Sequence, residues 1–152
     1  MSGTIDFNAI ATALATQFAS VTAPAGETAL RFATEVLPSQ VPATPCILIT
    51  PPDSVPFNYR ASARTGTVVY HAKFLLERVR STGRNATLIY KWLSALYAQI
   101  DATHVHLGLP AYVNWAEVTD SHIGVLTYAG ENYEGIDLEV TVHLGEGTSP
   151  TA

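Results

Sequence analysis

Residues 133–144, YEGIDLEVTVHL, carry the pattern that decides the fold. Aliphatic side chains alternate with polar ones along the whole stretch: Ile136, Leu138, Val140, Val142 and Leu144 against Asp137, Glu139, Thr141 and His143. Successive side chains of a strand point to opposite faces, so this pattern predicts a strand with one buried and one polar face. Such strands are typical of an antiparallel sheet that is covered on one side.

A second long strand is predicted directly before it, at 112–128, with a kink at Asp120 and Ser121. Between the two strands, residues 129–132 (AGEN) are typical of a hairpin turn. We therefore expect the C-terminal third of the chain to form one antiparallel hairpin.

Four further strands are predicted, at 28–36, 46–50, 67–79 and 104–109. Proline cannot donate a hydrogen bond to a neighbouring strand, so Pro45 and Pro51 should bracket the second of these strands. The 67–79 strand would span about 40 Å at ~3.3 Å per residue, which predicts that it bends or projects from the domain. The proline-containing residues 51–66 are predicted to form an extended, largely unpaired loop.

Two amphipathic helices are predicted, at 6–22 and at about 85–101, with Asp6 as the N-cap of the first. Apolar residues recur at spacings of three and four along both: Phe7, Ile10, Leu14, Phe18 and Val21, then Ile89, Leu93, Leu96 and Ile100. The predicted fold is α+β, in the order α-β-β-β-α-β-β-β. A mostly antiparallel sheet of five to six strands carries both helices on one face. We expect a single domain over residues 1–152, with a core at about 5–144 and a flexible tail at 145–152.

The single cysteine, Cys46, excludes a disulfide within the chain and predicts a protein kept in a reducing cytoplasm. Only 14% of the 152 residues are charged, well below the usual quarter, so either much of the surface is neutral Thr, Ser and Asn, or part of it is covered by partners. No apolar run approaches the ~20 residues of a membrane helix, and the N-terminus lacks a signal-peptide pattern. The net charge of −5 argues against a general nucleic-acid binder.

The charges are also segregated along the chain. Residues 60–91 contain seven basic residues and one acidic residue, whereas residues 101–152 contain eight acidic residues and neither lysine nor arginine. Two arrangements satisfy this pattern: antiparallel strands pair the charges within one subunit, or the basic face of one subunit meets the acidic face of the next.

No catalytic constellation is evident, and we expect neither an enzyme nor a bound cofactor. His104 and His106 would share one face of the predicted 104–109 strand, but no third metal ligand follows at a suitable spacing. Cys46 lies in an apolar strand, which is the wrong setting for a reactive thiolate. His71, His122 and His143 are isolated in the sequence and expected on solvent faces.

The element order and one hairpin resemble the tail terminator proteins of long-tailed, siphovirus-type bacteriophages. The resemblance covers about residues 5–144 and includes the hairpin pattern Tyr128-x-Gly130-x-x-Tyr133-x-Gly135-Ile136-x-Leu138-x-Val140-x-Val142. It also includes the bracketed 46–50 strand and the long strand from Val68 to Leu76.

The resemblance implies a structural virion protein that forms a ring, expected to be a homohexamer. The ring would cap the tail tube, stop its polymerisation and provide the head-docking surface, while DNA passes through its bore without specific binding. The tail tube protein and a head-tail stopper or other neck protein would be its partners. It would be found in the tail or neck of the virion, and in the host cytoplasm during assembly. A neck, connector or tail-completion protein of similar size is an alternative, and a small-molecule enzyme or carrier of α+β fold is a more remote one.

Two sets of residues are expected at interfaces. The charged set should lie between subunits of the ring: Arg78, Arg80, Arg84, Glu134, Asp137 and Glu139. The second set belongs to the 51–66 loop and should contact a neighbouring ring: Pro52, Phe57, Tyr59, Arg60 and Arg64. Long ordered loops are usually functional, and exposed aromatic residues often anchor interfaces.

Overall fold

A computed structural model describes the fold over residues 5–52, 57–60, 63–79, 86–102, 106–109 and 112–146. Within these ranges, side chains are described except at 57–60, 63–65, 101–102, 106 and 146. The elements, in chain order, are α1 (Phe7–Ala19), β1 (Phe32–Thr34), β2 (Cys46–Thr50), β3 (Phe57–Arg60), β4 (Ala63–Arg78), α2 (Ala86–Ala102), a 3-10 helix (His106–Gly108), β5 (Val113–Tyr128) and β6 (Glu131–Glu146). The α+β class, the two helices and the number of strands are confirmed.

The six strands form one sheet in the order β1-β2-β4-β6-β5, with β3 paired to β4 beside this path. Every pairing is antiparallel except that of β1 with β2, which is parallel. The long strands β4, β6 and β5 therefore form the centre and one side of the sheet. Within the described chain, β1 and β5 are the two outer strands of the main path.

Both helices pack on one face of the sheet, as predicted. The Asp6 carboxylate caps α1 by accepting a hydrogen bond from the Ala9 amide at 2.9 Å. The Tyr70 hydroxyl of β4 donates to the Phe7 carbonyl at 2.8 Å, which fixes the start of α1 on the sheet. Helix α2 buries Trp92 against Phe74 of β4, with ring centroids 4.8 Å apart. The alternating aliphatic residues of β6 complete this core.

A smaller apolar cluster lies on the opposite face of the sheet, which we call the outer face. It contains Cys46, Leu48, Leu75 and Tyr133, with Val41 among the half-buried residues packed against it. The Tyr128 hydroxyl donates to the Pro38 carbonyl and so ties the proline-rich segment to the end of β5. This segment covers one end of the outer face, and the other end carries polar side chains.

The prediction of an unpaired loop at 51–66 is wrong, because this region contains a strand. Residues 57–60 form β3 and pair with 63–66 of β4. The short sequence FNYR has the aromatic residues that suit a strand, but the neighbouring prolines obscure that signal. As a result β4 begins four residues earlier than predicted. It also bends, as expected for its length, at a register shift between Leu75 and Glu77.

The predicted strand at 104–109 is also wrong. Residues 106–108 form a 3-10 helix in which Leu107 and Gly108 have φ angles of 49° and 74°. A strand requires negative φ, so this backbone cannot continue one. The first strand is shorter than predicted, and α1 ends at Ala19, three residues early. The sixth strand of the sheet is thus β3, before α2, and not a strand after it.

The C-terminal hairpin follows the prediction closely. A two-residue turn joins β5 to β6, and Ala129 and Gly130 both have positive φ, at 53° and 81°. Positive φ at both positions is the geometry of a type I′ turn, whose twist matches that of the flanking strands. The predicted kink in β5 is present as a register shift between Val118 and Asp120.

Candidate assembly interfaces

Strand β5 forms a long open edge of the sheet. It has 16 residues and pairs with β6 along its length, while within the described chain no strand pairs with its other side. From Glu117 to Tyr128 none of its residues is fully buried. An edge of this length offers unpaired amide and carbonyl groups to a further strand or another chain.

Apolar side chains beside this edge are left uncovered by the helices. Ile123 and Val125 lie on the helix-bearing face of β5, opposite Ile136 and Glu134 of β6. They remain 43% and 49% exposed because α2 does not extend over them. Tyr90 of α2 is 61% exposed beside them. A groove of about 170 Å³ lies between α2 and β5 and is lined by Ala86, Ile89, Tyr90 and Ile123.

A second uncovered apolar site lies after β1, directly before Pro38, whose carbonyl accepts a hydrogen bond from the Tyr128 hydroxyl of β5. Val36 and Leu37 follow β1, the strand furthest from β5 along the main path, and they are 72% and 40% exposed. Val36 is the most exposed of the large hydrophobic residues in the described chain. The subunit therefore presents two distinct uncovered apolar sites, the groove between α2 and β5 and the segment at Val36 and Leu37.

Two of the seven basic residues of the 60–91 segment, Arg64 and Lys73, lie opposite acidic residues of β6 within the chain. Strand β4 runs antiparallel to β6, which places Lys73 opposite Asp137 and His71 opposite Glu139. His71 Nδ1 lies 2.9 Å from Asp137 Oδ1, and the two side chains are half-buried. Along these described strands, the register favours the first of the two arrangements, in which opposite charges pair inside one subunit.

The charged residues expected between subunits occupy different environments. Arg78 is exposed at the end of β4, whereas Glu134 is only 3% exposed on the helix-bearing face of β6. Asp137 and Glu139 are half-buried on the outer face. Arg80 and Arg84 lie outside the described residues. The described members of this set, Arg78, Glu134, Asp137 and Glu139, are therefore not brought together into one surface.

Four of the five residues expected in the docking loop lie in the β3–β4 hairpin. Phe57, Tyr59 and Arg60 belong to β3, and Arg64 lies opposite Tyr59 on β4. Their side chains are not among those described. Pro52 precedes the hairpin and is half-buried. The residues predicted to dock thus belong mainly to a strand pair and not to an unpaired loop.

The polar end of the outer face contains three histidine–carboxylate pairs that sequence spacing does not reveal. Besides His71 and Asp137, His122 Nε2 lies 3.3 Å from Asp120 Oδ2, and His143 Nε2 lies 3.6 Å from Glu117 Oε2. Two of these pairs join different strands, so they depend on register. Cross-strand register is set by bulges and turn geometry, and isolated histidines in the sequence give no sign of it.

His143 also belongs to an aromatic contact on this face. Its ring stacks on that of Trp115, with centroids 4.0 Å apart, and Trp115 Nε1 donates to Glu117 Oε2 at 2.7 Å. Trp115 remains 41% exposed. The three solvent-face histidines of the sequence prediction thus lie on the outer face, but each has a carboxylate neighbour.

The most perturbed titratable groups lie in the interior. Burial raises the pKa of the Cys46 thiol to about 12, so the thiol stays protonated at neutral pH. Burial likewise raises the pKa of Tyr70, with smaller contributions from Asp6 and Tyr112. Cys46 is buried in β2, in agreement with the prediction that it lies in an apolar strand.

A larger open groove, of about 330 Å³, lies between the 27–31 segment, the end of β4 and α2. Charged side chains of Glu27, Arg31 and Glu77 line it together with Leu88 and Trp92.

The sequence predicts that His104 and His106 share one face of a strand at 104–109. The described residues 106–109 do not form this strand, so the shared face that would align the two histidines on a metal ion is not present there. The side chains of both histidines lie outside the described set.

No protein-family model, curated protein or solved structure matches the chain. Neither of the described helices is long and apolar enough to span a membrane.

Proposed function

We propose that this chain is a structural subunit that assembles head to tail into a closed ring, and that the ring is the tail terminator of a long-tailed bacteriophage. The ring caps the tail tube, stops its polymerisation and presents the surface that docks on the head. Its partners are further copies of itself, the tail tube protein and a head-tail stopper or other neck protein.

The observation that carries this proposal is the presence of two separate uncovered apolar sites, the groove beside β5 and the segment at Val36 and Leu37. A ring requires two different surfaces on each subunit, so that one surface meets the other on the next copy. The groove beside Ile123 and Val125 offers one such surface, and the exposed Val36 and Leu37 offer the other. Exposed apolar patches rimmed by polar residues are typical of protein interaction sites.

The open edge of β5 also supports assembly with further copies of the chain. Natural proteins usually protect long edge strands with charges, prolines or covering segments. The segment from Ile123 to Tyr128 has no charged residue and no proline. A neighbouring subunit that lies along this edge would cover both its backbone groups and its apolar side chains.

The resemblance in element order and in the β5–β6 hairpin supports the choice of a tail terminator among ring-forming proteins. The net charge of −5 suits a ring through which DNA passes, because tight phosphate binding needs many lysines and arginines. A neck or tail-completion protein would share these features. The charged groove beside Arg31 is the one observation that favours a small-molecule carrier.

Disruption of the gene in the phage that carries it separates these functions. Loss of a terminator leaves overlong tails and heads without tails in lysates viewed by electron microscopy. Loss of a neck protein leaves tails of normal length that are not joined to heads. Particles of normal form would contradict both assembly roles and favour the carrier. A complementing copy with Asn8→Asp, a change on the exposed side of α1, serves as the control and should restore normal particles.

A further inference from the structure

We propose that Asp120, His122 and Glu139 bind one divalent transition-metal ion on the outer face of the sheet. Asp120 and His122 lie two residues apart on β5, and Glu139 lies opposite Asp120 on β6. Each residue offers one ligand atom, and these three atoms lie within 4.8 Å of one another. The site lies on the outer face, whereas the groove proposed for assembly lies between α2 and the helix-bearing face of β5.

The spacing of these atoms suits a metal ion of ordinary bond length. His122 Nε2 and Asp120 Oδ2 are 3.3 Å apart. Ligands at about 2.0–2.2 Å from a tetrahedral zinc ion lie roughly 3.4 Å from each other. This pair is thus already at the separation that two zinc ligands adopt, and Glu139 completes the set by rotation of its flexible side chain.

A β-bulge creates this arrangement. The register shifts between Val118 and Asp120, so that Thr119 is an extra residue in β5. The Thr119 hydroxyl lies 2.8 Å from the Thr141 hydroxyl on the outer face. Because of the extra residue, Asp120 also points to the outer face, where it meets Glu139. Bulges that re-aim side chains are common beside functional sites.

The charge of the cluster favours a cation. Asp120 and Glu139 are like charges directly opposite each other on neighbouring strands, an arrangement that destabilises a sheet. The next carboxylate along β6, Asp137, lies opposite His122 but is held against His71. A bound divalent ion would replace the repulsion between Asp120 and Glu139 with attraction to both.

The ligand set indicates which ions fit. One imidazole nitrogen with two carboxylate oxygens suits zinc and neighbouring first-row metals, whereas calcium prefers six to eight oxygens. Asp120 and His122 are more than half exposed, so water can fill the remaining coordination positions. Binding requires the neutral imidazole, so affinity should fall as the pH is lowered.

Isothermal titration of zinc chloride into the tag-free, chelator-treated protein tests the site. We expect one ion per chain, at least tenfold weaker binding in His122→Ala and in Glu139→Gln, and a higher melting temperature on zinc addition. His143→Ala is the matched control, since His143 also pairs with a carboxylate on the outer face but lies outside the cluster. It should bind zinc as the native chain does.

Three results would overturn the proposal. The first is that the native chain shows no saturable zinc binding. The second is that His122→Ala binds zinc as tightly as the native chain. In the third, a His104→Ala and His106→Ala double variant loses the ion while His122→Ala retains it. Circular dichroism of each metal-free variant confirms that its fold is intact. Because none of the substituted ligands belongs to the buried core, loss of binding with an unchanged spectrum assigns the ion to this cluster.

Discussion

Gly135 of β6 lies so close to β4 that a Cβ at this position would overlap the carbonyl oxygen of Phe74 and approach Leu126 Cδ1 to 3.0 Å. The close approach involves backbone, which cannot move aside as the end of a flexible side chain can. Gly135 also lies at the centre of the hairpin pattern that carries the resemblance to tail terminators. The need for glycine here is thus a packing requirement between strands.

Substitution of Gly135 by alanine should destabilise the chain by about 1–3 kcal/mol, the usual cost of forcing extra volume into a packed core. Gly124→Ala is the matched control, because Gly124 lies directly opposite on β5 and a Cβ added there would meet no atom within 4 Å. Urea unfolding of both variants measures the difference. Equal free energies of unfolding for the two variants would show that the backbone of β4 shifts at Phe74 without loss of stability.

The cap of α1 gives a second prediction. The Asp6 side chain accepts from the Ala9 amide, so Asp6→Ala should lower the free energy of unfolding by about 1 kcal/mol. Asp6→Asn keeps a capping oxygen and should retain most of the stability. Thermal unfolding of the three proteins checks this, and an Asn variant as unstable as the Ala variant would contradict a capping role.

Cys46 should make stability depend on pH in the alkaline range. The pKa of its thiol is 9.0 in the unfolded chain but about 12 when folded, because burial disfavours the thiolate. Because the pKa of Cys46 is raised in the folded chain, its contribution to the free energy of unfolding is fully present below pH 9. That contribution is lost as the pH rises from about 9 towards 12. Cys46→Ala should flatten this part of the stability curve, as measured by urea unfolding at about pH 8, 9 and 10. An unchanged slope would contradict the burial effect.

The groove beside β5 gives a prediction for assembly. Ile123→Asp places a charge in the groove and should prevent oligomer formation without unfolding the chain, because Ile123 is already 43% exposed. Asn8→Asp adds the same charge on the exposed side of α1, away from the groove, and should assemble normally. Light scattering reports the mass and circular dichroism reports the fold. Assembly by the Ile123 variant would exclude this groove from the interface.

The alternating pattern of residues 133–144 is enough to predict β6, its buried face and the hairpin, because a period of two is a local signal. The 3-10 helix at 106–108 escapes prediction since the short VHLGL run has the composition of a strand, and only its φ angles distinguish it. The parallel β1–β2 pairing cannot be inferred either. It depends on which strands become neighbours, and local periodicity contains no information on that.

The candidate surfaces are harder to predict than the fold. Spacing along the chain leaves His122 isolated, whereas the bulge at Thr119 brings Asp120 onto the same face, close to His122 and opposite Glu139. Charge segregation is visible in the sequence, but only the antiparallel register of β4 and β6 shows that Arg64 and Lys73 lie opposite Glu146 and Asp137 within one chain. The exposure of Ile123 depends on the position of α2 relative to β5. The sequence pattern of either segment alone does not predict that position.

The native mass of the purified chain, measured by light scattering over a range of protein and salt concentrations, tests assembly into a closed ring. We predict one discrete species of about six times the 16.3 kDa of a single chain. This species should persist on dilution into the low micromolar range, and electron microscopy images should show a ring. A mass of 16.3 kDa at every concentration, or an unlimited series of larger species, would contradict the proposal.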